Sequence, residues 1–480
     1  MDSLERVPLR IFIKLRRFSM AIVGACLVPH PPLIVAEVGR GEEKIVQKTI
    51  DSYQKMAKKI AEKCPETIVL SSPHSILYSD YFHISPGKGA KGSFSSFGAG
   101  QVTFEVRYDQ ELVQAIEKRA KKLSFPAGTL GERDPRLDHG TMVPLYFIEK
   151  EVPDFLLVRL SLSELSLADH YRLGQLIEEE AERLGRRVFY VASGDLSHKM
   201  EESGPYGYDP AGPVYDQKVM DVLGRADFKE LLEFPASFCE KAAECGHRSI
   251  CIMAGALDKK RVKTEVFSHQ GLTGVGYGLV FYDVLGKDPS RNFLDQWVSQ
   301  EKEKLQKKRE KEDPYLTLAR ETVETYVLNG QTDLSHFTPP SELLKNRAGV
   351  FVSLHKEGEL RGCIGTIDPV RTSLFEEIIS NAISACSEDP RFSPVQPEEL
   401  AFLEYSVDVL EKPEPVSSMD QLDAREYGVI VSRGGRRGLL LPNLDGVNTP
   451  EEQIAIARRK AGIGKNEEVD LERFRVIRHE

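Results

Sequence analysis

Residues 20–34 read MAIVGACLVPHPPLI, and this stretch decides the fold of the N-terminal half of the chain. The run AIVGACLV is short, continuous and largely apolar, which is typical of a strand buried on both faces of a parallel sheet. The proline-rich PHPP that follows cannot continue a central strand, because proline lacks the backbone N–H that a sheet ladder needs. We therefore predict a strand over residues 21–28 that ends just before His30.

Strands of the same type recur at intervals up to about residue 283. Long amphipathic stretches separate them, and such strand–helix–strand alternation is typical of an α/β domain with a mainly parallel sheet. The further predicted strands are 67–71, 155–160, 188–192 and 278–282, and the predicted helices are 42–64, 110–123 and 168–184. We predict one α/β domain over residues 20–285, after a short basic extension over residues 1–19.

The composition changes after residue 285. Residues 286–313 include EKEKLQKKREKED, a run of both charge signs that is typical of a solvated helix or linker. Beyond this run the predicted strands are 349–355, 359–367, 401–410, 428–432 and 438–441, and the predicted helices are 315–328, 373–386 and 450–461. The tight turn KEG at residues 356–358 indicates a hairpin. We therefore predict a smaller α+β domain with a mostly antiparallel sheet over residues 314–480.

The overall composition excludes several classes of protein. The chain has 480 residues, of which 41% are hydrophobic and 29% charged, and these are ordinary values for a globular protein of two or three domains. The net charge of −10 argues against binding to nucleic acid, and no apolar run is long enough to span a membrane. The seven scattered cysteines do not form a disulfide pattern. We expect a cytoplasmic protein that forms either a monomer or a homo-oligomer.

Three histidines follow directly after predicted strands. They are His30 in ACLVPHPP, His74 in IVLSSPHS and His198 in YVASGDLSH. In an open α/β sheet, ligands bind in the crevice outside the carboxyl ends of the strands, so three imidazoles are expected at one edge. Imidazole is a common metal ligand and also an acid or base that works near neutral pH. The sequence therefore predicts a functional site at this edge, although each histidine alone is more simply a loop residue bonded to a backbone carbonyl.

Two further segments offer polar groups for the same site. His139 lies in LDHGTMVPL, and ECGHRS offers Glu244 and Cys245 side by side. Two histidines and one carboxylate form the ligand set of non-haem Fe(II) oxygenases. Two histidines and a thiolate suit zinc or copper equally well. The residue types thus predict a metal site and leave the identity of the metal open.

These segments resemble a known family in order and spacing. MAIVGACLVPHPPLI, SSPHS, LDHGTMVPL, ASGDLSH and ECGHRS resemble the class III extradiol ring-cleavage dioxygenases of the LigB type and the related MEMO proteins. The resemblance implies that His30 and His74 are metal ligands. It also implies catalytic roles for His198, the acid or base, and for His139, which faces the substrate. We count Asp195, in the same segment as His198, among the catalytic candidates.

The resemblance leaves the third metal ligand open. In the dioxygenases this ligand is a glutamate, whereas a cysteine occupies the place in MEMO proteins. The resemblance to the MEMO pattern puts Cys245 at this position, whereas iron chemistry prefers a carboxylate, and we favour Glu244 for that reason. The resemblance then implies an Fe(II) oxidoreductase that uses O₂ to cleave or oxidise a small catechol-like aromatic. The alternatives are a non-enzymatic MEMO-like metal-binding protein and a zinc-dependent hydrolase.

The C-terminal half resembles a second family. ELRGCIGTIDP, NAISACSEDPRFSPVQPEEL and GGRRGLLLP resemble the AMMECR domain. A chain that joins both domains resembles the protein A family of the AmmeMemoRadiSam systems, which implies a radical-SAM partner protein. We predict a second candidate site at Arg361, Gly362, Cys363 and Gly365, where Arg361 would favour the thiolate of Cys363. A small buried cysteine packed between glycines is the alternative interpretation.

Overall fold

The computed structural model describes residues 20–131, 134–444 and 446–480. The extension predicted at residues 1–19 lies outside the described residues. The chain divides into two compact units, of which the first ends at Val298 and the second begins at Ser299. Each unit has its own hydrophobic core.

The first unit is organised around a six-stranded sheet. The strands of the unit include those of this sheet and four shorter or peripheral ones. In chain order they are β1 Ile22–Val28, β2 Thr67–Ser72, β3 Phe82–His83, β4 Gly89–Phe94, β5 Ala99–Arg107, β6 Ala127–Gly128, β7 Leu156–Ser161, β8 Val188–Ser193, β9 Lys260–Leu272 and β10 Val275–Lys287. The main sheet has the order β7-β2-β8-β1-β10-β9. Pairing is parallel from β7 to β1 and antiparallel from β1 through β10 to β9.

This topology confirms the predicted α/β fold with a mainly parallel sheet. The five predicted strands correspond to β1, β2, β7, β8 and β10. Strand β9 was not predicted, because its sequence KRVKTEVFSHQGL is rich in charged residues and lacks the apolar run of a central strand. It pairs with β10 alone, at the edge of the sheet, where charged side chains remain in contact with water.

Helices cover both faces of the main sheet. The helices up to residue 309 are α1 Ala36–Gly39, α2 Gln47–Glu62, α3 Gln110–Lys122, α4 His139–Ile148, α5 Leu167–Leu184, α6 Ala211–Arg225, α7 Ala236–Ala242, α8 His247–Ala256 and α9 Phe293–Arg309. Successive residues of β8 alternate between two hydrophobic clusters, with Tyr190 in one and Val191 in the other. The first cluster includes residues of α3, α5, α6 and α8, and the second includes residues of α2 and α4. Both faces of the sheet are therefore buried, which explains the continuous apolar runs of its central strands.

The second unit contains two antiparallel sheets, which confirms the predicted α+β fold. Its strands are β11 Val350–Lys356, β12 Glu359–Gly365, β13 Leu403–Leu410, β14 Glu414–Pro415, β15 Gly428–Arg433, β16 Arg436–Leu440, β17 Asp470–Phe474 and β18 Val476–His479. Its helices are α10 Pro314–Asn329, α11 Ser341–Lys345, α12 Leu374–Ser387 and α13 Pro450–Lys460. The sheets have the orders β12-β11-β13-β18 and β14-β17-β15-β16. Helix α12 packs on β11 and β12 and supplies much of the core of this unit.

The charged segment predicted as a helix or linker is largely helical. Helix α9 covers residues 293–309, including the first part of the lysine- and glutamate-rich run. Asp313 then caps α10, because its side chain accepts hydrogen bonds from the backbone N–H groups of Tyr315 and Leu316. Within the described ranges, no helix is both long and apolar enough to cross a membrane.

Burial of His170 makes the stability of the first unit sensitive to acid. The ring is fully buried in α5, where its Nδ1 donates to the Ser166 carbonyl at 2.8 Å. Burial lowers the pKa of His170 to about 3. A lowered pKa means that the unfolded chain takes up the proton first, so this contribution to stability is lost as the pH falls from about 6.5 towards 3.

We predict that the substitution His170→Gln flattens the pH dependence of unfolding. Between pH 7 and pH 5, the free energy of unfolding should fall by about 2 kcal/mol more in the wild type than in the variant. Urea unfolding followed by circular dichroism at both pH values measures this difference. Parallel pH profiles of the two proteins would contradict the prediction.

Candidate metal centre

The parallel strands bring the predicted histidines to one edge of the sheet. His30 follows β1 and His74 follows β2, while Asp195 and His198 follow β8. Because β8 pairs in parallel with both β1 and β2, the carboxyl ends of the three strands are neighbours. Cys245 reaches the same edge from the loop that precedes α8.

Three potential ligand atoms converge at this edge. The Nε2 atoms of His30 and His74 are 2.9 Å apart, and the Nε2 atom of His30 is 3.7 Å from the Sγ atom of Cys245. All three atoms lie within 4.8 Å of one another. Imidazole and thiolate ligands of one tetrahedral zinc ion are separated by about 3.3–3.6 Å, given metal–ligand bonds of about 2.0–2.3 Å. The spacing of His30, His74 and Cys245 therefore fits a single metal ion.

A hydrogen bond between Nδ1 and Ser193 orients the ring of His30. The Ser193 hydroxyl donates to the Gly140 carbonyl at 2.6 Å, so its oxygen is free to accept a bond from Nδ1 of His30 at 3.0 Å. With the proton on Nδ1, the lone pair of Nε2 points towards His74 and Cys245, as in many metal sites. Burial, followed by the neighbouring His74, lowers the pKa of His30 to about 3. The ring is thus neutral at physiological pH, which is the form that binds metal.

His74 provides the more accessible side of the cluster. Its side chain is exposed, unlike that of His30, and its backbone N–H donates to the Ser72 hydroxyl at 3.2 Å. Burial of its ring atoms, followed by the neighbouring His139, lowers the pKa of His74 to about 4. A small molecule in solution can therefore approach the cluster from the side of His74.

Asp195 links the cluster to a second group of polar atoms. Its carboxylate accepts a hydrogen bond from the backbone N–H of His30 at 2.8 Å, and its own N–H donates to the sulfur of Cys245 at 3.3 Å. The other carboxylate oxygen lies 3.8 Å from Nε2 of His30 and 4.0 Å from Nε2 of His198. Burial raises the pKa of Asp195. At 4.0 Å this carboxyl group is beyond hydrogen-bond distance of His198 but close enough to stabilise a positive charge on its ring.

His198 is fixed in one orientation by the backbone. Nδ1 of its ring donates to the Ala243 carbonyl at 2.7 Å, and its backbone N–H donates to the Ala242 carbonyl at 3.1 Å. A carbonyl can only accept, so the neutral ring carries its proton on Nδ1 and presents the lone pair of Nε2. Nε2 faces Asp195, in a second group of potential ligands that also includes Cys245.

His139 stands beside His74 at the start of α4. The centroids of the two rings are 4.0 Å apart, and that of His30 is 5.6 Å from His139. Asp138 caps this helix and accepts hydrogen bonds from Ser72 at 2.5 Å and from the backbone of Thr141 at 3.0 Å. Burial works to raise the pKa of Asp138, but the Arg159 charge and these hydrogen bonds hold it below its usual value. A charged Asp138 thus anchors the segment that carries His139.

The structure does not support the sequence-based preference for Glu244 as third ligand. The carboxylate of Glu244 accepts a 2.5 Å hydrogen bond from the backbone N–H of His247, at the start of α8. Burial raises the pKa of Glu244 to about 7. Among the described residues, both groups of potential metal ligands contain Cys245 and neither contains Glu244. Glu244 and Cys245 are adjacent, but their side chains point in different directions. The Glu244 carboxylate accepts from the backbone at the start of α8, where the N–H groups have no partner within the helix.

Two glycines allow the Cys245 loop to approach the end of β8. A Cβ atom on Gly194 would lie 2.3 Å from the Cα atom of Gly246, which no real pair of atoms tolerates. A Cβ atom on Gly246 would lie 2.8 Å from the carbonyl oxygen of Asp195. The contact between Asp195 and Cys245 therefore depends on glycine at both positions.

Several residues that support the site were not predicted. Ser193, Ser72 and Asp138 orient the histidines, and the Tyr53 hydroxyl donates to the carbonyl of Pro29, next to His30. Ser72 and Ser193 are the last residues of β2 and β8, so their position in the sequence is a usable signal. Tyr53 lies in α2, far from His30 in sequence, and no local pattern connects the two.

In the second unit, the structure corrects the role expected for Arg361. Its guanidinium forms two 2.9 Å hydrogen bonds with the carboxylate of Glu399, so its charge is already paired. The thiol of Cys363 instead accepts a 3.1 Å hydrogen bond from Ser353. Arg391 donates to the Cys363 carbonyl at 3.1 Å, a contact that the sequence did not predict.

The two glycines of this segment have packing roles. A Cβ atom on Gly362 would lie 2.2 Å from the carbonyl oxygen of Ala385 in α12. A Cβ atom on Gly365 would lie 2.3 Å from the ring of Phe351 in β11. The glycines therefore allow close packing of the helix and the neighbouring strand against β12. A ligand-binding role for Arg361, Gly362, Cys363 and Gly365 stays a prediction.

Comparisons with known proteins agree with this architecture. The family model of the catalytic LigB subunit of aromatic ring-opening dioxygenase matches residues 24–280, and the AMMECR1 model matches residues 316–479. A protein of Clostridium acetobutylicum is 40% identical over 470 residues, which cover 96% of this chain and 99% of the relative. A shorter protein of Thermotoga maritima is 49% identical over 170 residues, or 35% of this chain and 98% of the relative.

A solved structure is also similar to part of the chain. The crystal structure of the uncharacterized protein PH0010 from Pyrococcus horikoshii has 32% sequence identity and a TM-score of 0.32, and the match covers 34% of this chain and 88% of that one. The matched family models and the full-length relative together account for both units. The chain therefore belongs to the LigB family of catalytic subunits of aromatic ring-opening dioxygenases, and it carries an AMMECR1 domain after the LigB domain.

Proposed function

We propose that the first unit is a metal-dependent oxidoreductase that uses O₂ to cleave or oxidise a small catechol-like aromatic. The convergence of His30, His74 and Cys245 on one point, at the substrate edge of a LigB-type sheet, is the observation that carries this proposal. The ring of His139 lies beside that of His74, and His198 lies in a second group of potential ligands with Asp195 and Cys245, so both histidines are near these ligand atoms and can supply the polar groups that such a reaction needs. Fe(II) is the metal that we propose, because the LigB match implies a reaction that activates O₂, and Cys245 would then take the place that a carboxylate has in other non-haem Fe(II) sites.

The proposed division of labour follows from the position of each group. His30, His74 and Cys245 would hold the metal, and we place the substrate on the exposed side of His74. A bound Fe(II) ion supplies the redox chemistry that allows O₂ to react with an aromatic diol. The protein itself excludes water, orients the ring and handles protons.

Proton transfer is the task that we assign to His198 and Asp195. The lone pair of Nε2 of His198 is available to take a proton from a substrate hydroxyl, and the nearby Asp195 carboxylate stabilises the imidazolium that results. His139, at the start of α4, can donate or accept a hydrogen bond at the opposite side of the substrate. The same His198 can return its proton to the product.

One observation favours a second candidate function. Cys245, and not Glu244, lies with the two histidines, and a cysteine at this place is the MEMO pattern. Thiolate and imidazole together also suit copper or zinc. The second proposal is therefore a MEMO-like metal-binding protein without ring-cleavage activity, which acts together with a radical-SAM partner.

Both proposals require that the cluster binds metal, and we predict which substitutions abolish binding. His30→Ala, His74→Ala and Cys245→Ser should each reduce the metal content of the anaerobically purified chain from about one ion to a small fraction, because each removes one of three ligands. Glu244→Gln is the matched control and should retain the metal. Elemental analysis by mass spectrometry measures these contents. Full occupancy in His30→Ala, or loss in Glu244→Gln alone, would contradict the assignment.

Oxygen uptake tests the proposed reaction. With Fe(II) and catechol, the full chain should consume O₂ in a one-to-one ratio with a ring-opened product that contains both oxygen atoms. His198→Asn should keep the metal but lower kcat by about 10²–10⁴-fold, the usual effect of losing a general acid or base. An oxygen electrode and mass spectrometry of the product give the result. A loaded protein that binds catechol without consuming O₂ would overturn this proposal and favour the second candidate.

The close contact between Gly194 and Gly246 allows the position of the Cys245 loop to be tested without changing a metal ligand. In Gly194→Ala, the new methyl group would collide with Gly246 and move the loop of Cys245 away from the histidines. We expect metal affinity to fall by at least tenfold while the fold is retained. Gly224→Ala is the matched control, because its nearest contact would be 3.7 Å away on Val266. Competition with a chelator measures both affinities, and equal affinities would contradict the expected role of Gly194.

A further inference from the structure

An exposed aromatic ring lies against His139, on one side of the candidate metal centre. Phe97 is 38% exposed, and its ring centroid is 5.5 Å from that of His139 in an edge-on arrangement. The ring belongs to the single turn Ser95–Phe97 at the tip of the hairpin formed by β4 and β5. A phenylalanine at a hairpin tip contributes little to a core, so its contact with a site histidine suggests another role.

The backbone around Phe97 is held in place. Gly98 ends the turn with a φ of +74°, a conformation that favours glycine. The guanidinium of Arg40 donates to the Gly98 carbonyl at 2.6 Å. On the inner side, the fully buried ring of Phe94 contacts Phe97 with a centroid distance of 6.1 Å. The hairpin tip therefore presents the Phe97 ring in a defined place.

A second exposed aromatic ring lies against His198. Tyr206 is 56% exposed, and its ring centroid is 5.0 Å from that of His198, again in an edge-on arrangement. Its loop is anchored at Gly204, where an added Cβ atom would lie 2.8 Å from the Cα atom of Gly274. Lys199 fixes the loop further, since its ammonium group donates to the Tyr206 carbonyl at 2.6 Å.

These two rings differ from the other exposed apolar side chains of the chain. Single exposed hydrophobic residues are common and need no explanation. Phe97 and Tyr206, however, come from separate segments, and each contacts one of the two histidines that stand beside the ligand atoms. Aromatic rings bind other rings edge-on or offset, with centroids about 4.5–7 Å apart. A planar ring held next to His139 would therefore lie within reach of Phe97, and a ring held next to His198 would lie within reach of Tyr206.

From these contacts we propose that Phe97 and Tyr206 determine specificity by contacting the ring of an aromatic substrate. The inference rests on the proposed function, because it concerns the substrate of the same site. The inference adds Phe97 from the β4–β5 hairpin and Tyr206 from the loop after β8 to the site. These two residues would recognise the aromatic ring of the substrate and not the oxygens of the substrate that bind the metal. Each ring should contribute about two- to tenfold to the affinity for an aromatic ligand, the usual strength of an aromatic pair.

Binding of two chelators separates ring recognition from metal binding. The full chain, loaded anaerobically with Fe(II), is titrated with 4-nitrocatechol, which has an aromatic ring, and with acetohydroxamate, which has none. Phe97→Leu and Tyr206→Leu should each weaken binding of 4-nitrocatechol about two- to tenfold and leave acetohydroxamate unchanged. Tyr206→Phe keeps the ring and should bind as the wild type does. Tyr208→Leu, which removes another exposed tyrosine from the same loop, is the matched control and should also bind as the wild type does.

The outcomes distinguish this inference from the proposed function. If the wild type binds both chelators and neither leucine variant changes the Kd of 4-nitrocatechol, the inference is overturned and the metal site stands. An equal loss for both chelators also overturns it, because the variants would then act through the metal. A wild-type chain that takes up Fe(II) but binds neither chelator overturns the proposed function, and this inference with it. Metal content, measured on each variant, confirms that the centre itself is intact.

Discussion

Parallel pairing of β8 with both β1 and β2 is the constraint on which the candidate site depends. Three neighbouring strands that run in one direction end at one edge, and each continues into a segment that carries a histidine. The contact between Gly194 and Gly246 adds the fourth segment, because it brings the loop of Cys245 against the end of β8. Any change that separates these backbones would disperse the ligand atoms, although each side chain would still be present.

Burial gives the site its electrostatic character. It lowers the pKa of His30 to about 3 and that of His74 to about 4, and it raises the pKa of both Asp195 and Cys245. The surroundings thus favour neutral groups, and only an added cation would stabilise a thiolate beside a carboxylate there. Metal binding and deprotonation of Cys245 are therefore expected to occur together.

Sequence patterns were sufficient for strands β1, β2, β7, β8 and β10 and for the histidines that follow them, and insufficient for β9 and for the contacts between segments. The runs that form β1, β2 and β8 are apolar because both faces of the sheet are buried, so the positions of His30, His74 and His198 could be read from them. The choice between Glu244 and Cys245 depends on which of the two side chains accepts a hydrogen bond from the backbone at the start of α8. The sequence of a loop does not show which of two adjacent residues makes that bond. The ion pair of Arg361 was missed for the same reason, because its partner Glu399 is distant in sequence.

X-ray absorption spectroscopy shows whether Cys245 and two histidines hold one metal ion. The measurement uses the full chain, purified anaerobically with its metal. We expect two imidazole ligands and one sulfur at about 2.3 Å from the metal, with the sulfur absent in Cys245→Ser. A wild-type spectrum with only nitrogen and oxygen ligands, altered by Glu244→Gln, would contradict a role for Cys245 and restore Glu244 as the third ligand.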